Sequence, residues 1–342
     1  MMKPLFTSAI SAVFTLGAWL AWDAAAADKR AVQEMPAVVA ETVTGPRLAE
    51  LESAFAKQAA AWEEGHCQSL DGLREAFNAA SDAWARMEPF ASGPLSRKSR
   101  RERISYWPDP RNAVARGLNV LLDGEGESGL TPQNMADASV AVQGLPALER
   151  LLFSQDGSSA APDALSAREC AVGQAISRNL RTIAADALTE WSEPELGDLA
   201  KIRATLAMPD KAAEAASAVL GDVATGLRMM EDRKIPPLFG GKGVIPDEKK
   251  AESWRSHRSA RDLLLNVESL QAALKAIAPF APEAAAAANE KLADAAAALA
   301  APNDPNLGVN VIAAINNAKY YVIDVLPGEL GVALGFNSMD GD

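Results

Sequence analysis

Glu149 is the residue whose setting most needs a chemical explanation. It lies in Gly144-Leu-Pro-Ala-Leu-Glu149, followed by Arg150-Leu-Leu-Phe153. Proline at the first turn of a helix loses nothing by lacking an N–H. The short helix that follows carries one carboxylate among Leu145, Leu148, Leu151 and Leu152. A carboxylate near a buried seam is costly unless it is paired, hydrogen-bonded or bound to a cation. Glu149 is therefore expected to face a positive counterpart, either a guanidinium or a metal ion.

Three other polar groupings could join it. Tyr106-Trp107-Pro108-Asp109-Pro110-Arg111 reads as a rigid turn placing an aromatic, an acid and a guanidinium close together. Asp109 either belongs to a site or caps the helix starting near Pro110. Trp254-Arg255-Ser256-His257-Arg258-Ser259-Ala260-Arg261 reads as the opening of a helix. In it Arg258 and Arg261, at i,i+3, could share a face and grip a carboxylate bidentately, or form a solvated charge run. The last grouping, Gly335-Phe336-Asn337-Ser338-Met339-Asp340-Gly341-Asp342, reads as an acidic tail or a docking segment.

Conventional hydrolase signatures are missing. There is no H-E-x-x-H and no G-x-S-x-G, and Gly240-Gly-Lys-Gly243 lacks the spacing of a phosphate loop. The two histidines, His66 and His257, read as surface or helix-end residues. A formal net charge of −12 argues against nucleic acid and anionic membranes as partners, and is compatible with cations.

The elements that must position these residues are helical. Leu48, Leu51, Phe55 and Trp62 share a face, as do Leu73, Phe77, Trp84 and Met87. Val172, Ile176, Leu180, Ile183 and Ala187 repeat every three or four residues, and Leu263, Val267, Leu270, Leu274 and Ile277 form a bundle seam. A last helix is expected over about 309–326, with Val311, Ile315, Val322 and Val325 or Leu326 inward. The alanine-rich run Glu283–Ala301 reads as a small-residue packing helix. Ser69 or Asp71, and Thr131-Pro132, supply helix starts. Segments 92–103, 123–129 and 235–246 read as linkers, and Met208-Pro209-Asp210 as a boundary between halves 40–208 and 209–342. The fold class is all-α.

Residues 1–27 read as a signal peptide: Lys3, an apolar run from Leu5 to Trp22, then small residues Ala24 to Ala27 before Asp28. A retained membrane anchor is the alternative reading of that segment. Cleavage would give a soluble, periplasmic or otherwise exported protein with no further membrane span. In that oxidising setting two cysteines, Cys67 and Cys170, suggest one disulfide, the alternative being two buried thiols.

The chain resembles the imelysin family. The likeness rests on Arg103-Ile-Ser-Tyr-Trp-Pro-Asp-Pro-Arg111, Gln143-Gly-Leu-Pro-Ala-Leu-Glu-Arg-Leu-Leu-Phe153, the run Trp254 to Asn266, and the Gly-Phe-Asn-Ser-Met-Asp-Gly-Asp terminus. The resemblance implies two packed four-helix-bundle-like domains with a site between them, built from Gly144, Glu149, Trp107, Asp109, Arg111, Arg258 and Arg261. It also implies company with peptidase-like and iron-regulated proteins. The family hallmark is G-x-H-x-x-E; Gly144 and Glu149 match its ends, but Pro146 stands where histidine belongs. Proline has no ligand atom, so the metallopeptidase reading is weakened and the chain looks like a G-L-P-A-L-E branch. Glu149 could still bind iron or another divalent or trivalent cation with other carboxylates, or pair with Arg111, Arg258 or Arg261, the arginine pairing being slightly preferred. Two functions stay open: a non-catalytic binding protein linked to iron or other metal uptake, with uptake partner proteins, or a binding or scaffold protein for a small molecule, glycan or protein in the interdomain cleft.

Overall fold

A computed structural model describes residues 32–64, 67, 69–124, 129–153, 164–241 and 243–334. The expected signal peptide, His66 and the 335–342 tail lie outside them, as do Lys242 and the centre of the 123–129 segment. No described helix is long and apolar enough to cross a membrane.

The described residues form helices and turns, with one isolated bridge, Gly241 to Val244, and no named strand. The elements that frame the molecule and its cavity are α1 (Gly45–Glu64), α2 (Leu70–Met87), α3 (Arg100–Ile104), α4 (Ala113–Leu122), α5 (Leu145–Leu152), α6 (Ala167–Ser192), α7 (Pro209–Met229), α8 (Ser259–Ile277), α9 (Pro282–Leu299) and α10 (Leu307–Tyr320). Helix α1 packs on both α6 and α2, α2 on α8, α8 on α9, and α9 on α10.

The apolar stripes expected from spacing are the buried ones. Leu48, Leu51, Phe55 and Trp62 are fully buried, as are all five residues of the α8 seam. In α6, Gly173 lets the Trp62 ring lie where a side chain would begin: a Cβ there would fall 2.0 Å from the ring. The alanine-rich run is helix α9, with Ala284, Ala285, Ala288, Leu292 and Ala295 inward. Small side chains allow α8 and α10 to approach it closely.

Starts follow the expected chemistry. Ser69 Oγ accepts from Gly72 N, and Thr131 Oγ1 from Asn134 N ahead of Pro132. Ser166 and Glu169 form a reciprocal capping box on α6. The last helix departs from its expected span. It begins at Leu307 and loosens into a π turn at Tyr321–Val325, which re-phases the face so that Val322 and Leu326 are buried and Val325 is half-buried.

The basic segment 92–103 is not a loose linker. Arg100 is buried and binds both oxygens of Glu190 on α6, at 2.8 and 2.6 Å, plus Pro94 O. Arg97 and Lys98 meet the same carboxylate. Three of the five basic residues of this expected linker, Arg97, Lys98 and Arg100, clamp a turn to a helix. Part of 235–246 is ordered too, with a short helix at Ile235–Phe239; Gly240, Gly241 and Gly243 then adopt left-handed φ of 78°, 106° and 77°. That conformation explains the glycines without any phosphate.

Cys67 and Cys170 are disulfide-bonded, joining the α1–α2 turn to the first turn of α6. The bridge closes a loop of 103 residues, for which chain entropy gives about 4–5 kcal/mol. A Cys67→Ser/Cys170→Ser double variant should lose that order of unfolding free energy in urea titrations; an unchanged midpoint would show that the bridge contributes nothing.

Candidate functional site

A cavity of about 490 Å³ opens beside α5. One set of lining residues comes from 77–150, including Phe77, Ser81 and Trp84 on α2, the turn Ser105–Pro110, and Pro146, Glu149 and Arg150 on α5. The other comes from 249–262, including Lys249, Glu252, Trp254, Arg255 and Asp262. Its size is ordinary for a small-molecule site.

Glu149 is buried, 5% exposed, and lines this cavity. Its partner is not an arginine. Oε1 accepts from Ser256 N at 3.0 Å and from Ser256 Oγ at 2.6 Å. Among the described residues no donor reaches Oε2. Burial pushes the Glu149 carboxyl above its ordinary value, against the two Ser256 hydrogen bonds and the charge of Arg255.

The expected partners stand elsewhere. Arg111 is exposed and outside the lining set. Arg258 and Arg261 do share a face, but the carboxylate they hold is Asp82 on α2. Arg261 Nε donates to Asp82 Oδ1 at 2.8 Å, its Nη2 reaches Oδ2, and Arg258 Nη2 binds Oδ1. Arg258 is 5% exposed and also reaches Asp262 Oδ1 at 2.9 Å. Burial raises the Asp82 carboxyl, but the two guanidiniums outweigh it and hold it below its ordinary value. The start of α8 therefore points at α2, so this arginine pair ties two helices together instead of neutralising Glu149.

Helix α8 also starts later than its sequence suggests. It begins at Ser259, with Arg258 as the residue before its first turn, and Trp254–His257 are turns. Ser253 and His257 take left-handed φ of 52° and 56°, which turns the Ser256 N–H toward Glu149. His257 is exposed, with Nδ1 4.0 Å from Glu248.

Asp109 is a helix cap that lines the cavity. Its two oxygens accept from Ala113 N at 2.7 Å and Val114 N at 2.9 Å, so the helix it caps starts at Ala113, not near Pro110. Trp107 Nε1 donates to Lys250 O at 3.2 Å, bringing the two sides of the cavity together. Gly144 has no ligand role to offer; it is a point of close approach. A Cβ on it would lie 2.1 Å from Ile104 O and 2.5 Å from Arg103 O. Arg103 Nε and Asn179 Nδ2 bind Gln143, fixing the chain just before α5.

A row of buried charge that no spacing announced runs from the cavity wall, at Glu252 and Asp262, to Lys234 and Glu88 behind it. Lys234 is 4% exposed and ion-paired with Glu88 and, at 2.7 Å, with Glu252 Oε2. Ser105 Oγ donates to Glu252 Oε1 at 2.8 Å. Burial pushes Asp262 up to about 7, with Glu252 adding to it and Arg258 opposing.

A family model described as imelysin (peptidase M75) matches residues 24–316. An imelysin-like protein from Psychrobacter arcticum 273-4 superposes with a TM-score of 0.74 at 22% identity, covering 90% of this chain and 98% of that one. A protein from Parabacteroides distasonis ATCC 8503, known by name only as an iron-regulated protein A precursor, gives 0.63 at 15% identity over 88% and 93% of the two chains. No curated protein matches the chain.

Two outcomes follow from this geometry. Gly144→Ala drives a methyl into two carbonyl oxygens and should cost about 1–3 kcal/mol, read by thermal or urea unfolding; an unaffected melt would contradict the contact. Asp262, raised from 3.8 to about 7 on folding, takes up a proton in the folded state between those values. Its contribution to stability therefore falls as pH rises through that window. Asp262→Asn should gain on the wild type over the same interval, by at most about 4 kcal/mol; parallel stability curves at acid and neutral pH would refute the shift.

Proposed function

The chain belongs to the imelysin family, and on that footing we propose a non-catalytic, exported binding protein whose cavity beside α5 holds a small organic ligand. With 40–208 and 209–342 taken as two helical units, the cavity draws one wall from each. The observation that carries the reading is Glu149. One of its oxygens is fixed by Ser256, and the other has no donor among the described residues, at the wall of a cavity of about 490 Å³. A ligand hydroxyl, amide or ammonium supplies the missing donor. Tyr106, Trp107 and Trp254 offer aromatic surface for the rest of the molecule.

A bare cation fits the donor set poorly. Pro146 has no ligand atom, Glu149 has one open oxygen, and Glu252 and Asp262 are engaged by Lys234 and Arg258. Among the described residues no three His, Cys, Asp or Glu side chains converge on a point. The iron link raised by the name of the Parabacteroides protein would then run through partner proteins of an uptake system, not through an ion at Glu149. The peptidase reading is weakened by the same position, since Pro146 stands where the family motif has its histidine.

Protein purified from its own cell envelope and then denatured should release an organic molecule, close to one per chain, detectable by mass spectrometry. A Glu149→Gln preparation should carry markedly less. One transition metal per chain in the wild type, lost in Glu149→Gln, would replace this reading with the metal-binding one.

A further inference from the structure

The acids that line the cavity are largely met by the protein itself. Asp109 takes two backbone N–H groups, Glu252 is held by Lys234 and Ser105, and Asp262 by Arg258. Arg255 is in a different position. Its guanidinium lies over the Trp254 ring, 4.1 Å from the centroid. It makes no hydrogen bond to any described residue, and its Nε is buried. No carboxylate of the described residues lies within ion-pair distance of it, Glu149 included.

A second guanidinium stands nearby. Arg150, half-buried and held by Asn112 Oδ1 at 2.8 Å, also lines the cavity. Burial pushes Arg255 down to about 10, and the positive charge of Arg150 pushes it the same way; Glu149 only partly opposes. Asp109 and Glu149 stand near Arg150 and support its charge, so the group short of a partner is Arg255. An anion beside Arg255 supplies the acceptor that its guanidinium lacks among the described residues.

The position is built, not incidental. Arg255 lies between two left-handed residues, Ser253 and His257, and beside Ser256, which is fixed to Glu149. Arg258 N closes the turn onto Ser253 O at 3.0 Å.

We infer that Arg255, with Arg150 beside it, forms an oxyanion subsite, and that the cavity's ligand is an aromatic or apolar body bearing a carboxylate or a phosphate. A planar guanidinium suits both groups, since each presents two oxygens to its fork. The inference rests on the cavity being a ligand site, and adds the charge and chemical class of what enters it.

The test uses the intrinsic fluorescence of the full chain at low ionic strength, because Trp84, Trp107 and Trp254 line the cavity. Three probes share a phenyl ring: benzoate, phenyl phosphate and neutral benzamide. The two anions should quench saturably, and benzamide should bind roughly tenfold to a hundredfold more weakly. Arg255→Gln should bring the anions down to the level of benzamide and leave benzamide unchanged. Arg255→Lys, which keeps the charge but not the fork, should recover part of the difference. Whichever anion binds more tightly identifies the group. Benzamide binding as tightly as benzoate, or an anion preference that survives in a folded Arg255→Gln, would overturn the subsite while leaving the cavity reading in place. Binding of none of the three would overturn both.

Discussion

Ser256 reaches Glu149 across 107 positions of the chain and donates to it twice, from backbone and side chain. Much of the site's geometry depends on that contact. It lets a carboxylate sit on an apolar helix at 5% exposure with no ion pair among the described residues. It also pins the 253–257 turns against α5, and those turns carry the indole and the guanidinium that close the cavity. A neutral partner has a further effect. An arginine would have taken both oxygens of Glu149 and ended its availability, whereas Ser256 occupies one.

The strong ion pairs serve the frame. Arg258 and Arg261 on α8 converge on Asp82 of α2, and Lys234 bridges Glu88 and Glu252 just behind them. Buried ion pairs are not dependable sources of net stability, because desolvation consumes much of the Coulomb gain. Their geometric demands are nonetheless strict. Two helices that share a bidentate carboxylate have one relative rotation that satisfies it, so the cavity walls on α2 and on the segment before α8 are held in register. Separating these tasks leaves the frame held by ion pairs while Glu149 and Arg255 stay open to the cavity.

The sequence disclosed the frame better than the contacts. Leucines at spacings of four and three on α8, and the Phe55 and Trp62 face of α1, are local signals, and local periodicity determines which side of a helix is buried. Glu149 was legible for the same reason, as a lone charge in an apolar run. Its partner was not, because a serine donating from a turn requires left-handed backbone at Ser253 and His257, and neither residue type advertises it. The arginine pair was correctly placed on one face, yet the matching acid, Asp82, lies some 180 residues away with nothing in the spacing to single it out. Gly144 was noticed as part of a motif; its physical role, a backbone pressed against the carbonyls of Arg103 and Ile104, is visible only when the two strands of chain are seen together.

The left-handed residues at either end of the 253–257 turns divide that loop into hinges and cargo. Ser253 and His257 set its path, and Ser256 moors it, while Trp254 and Arg255 project from a path already fixed. Those two side chains can therefore be exchanged without redirecting the backbone. Relatives that keep the mooring but vary at these two positions would inherit the same vessel with a different selectivity, and a designer wishing to retune the protein would begin with the same pair.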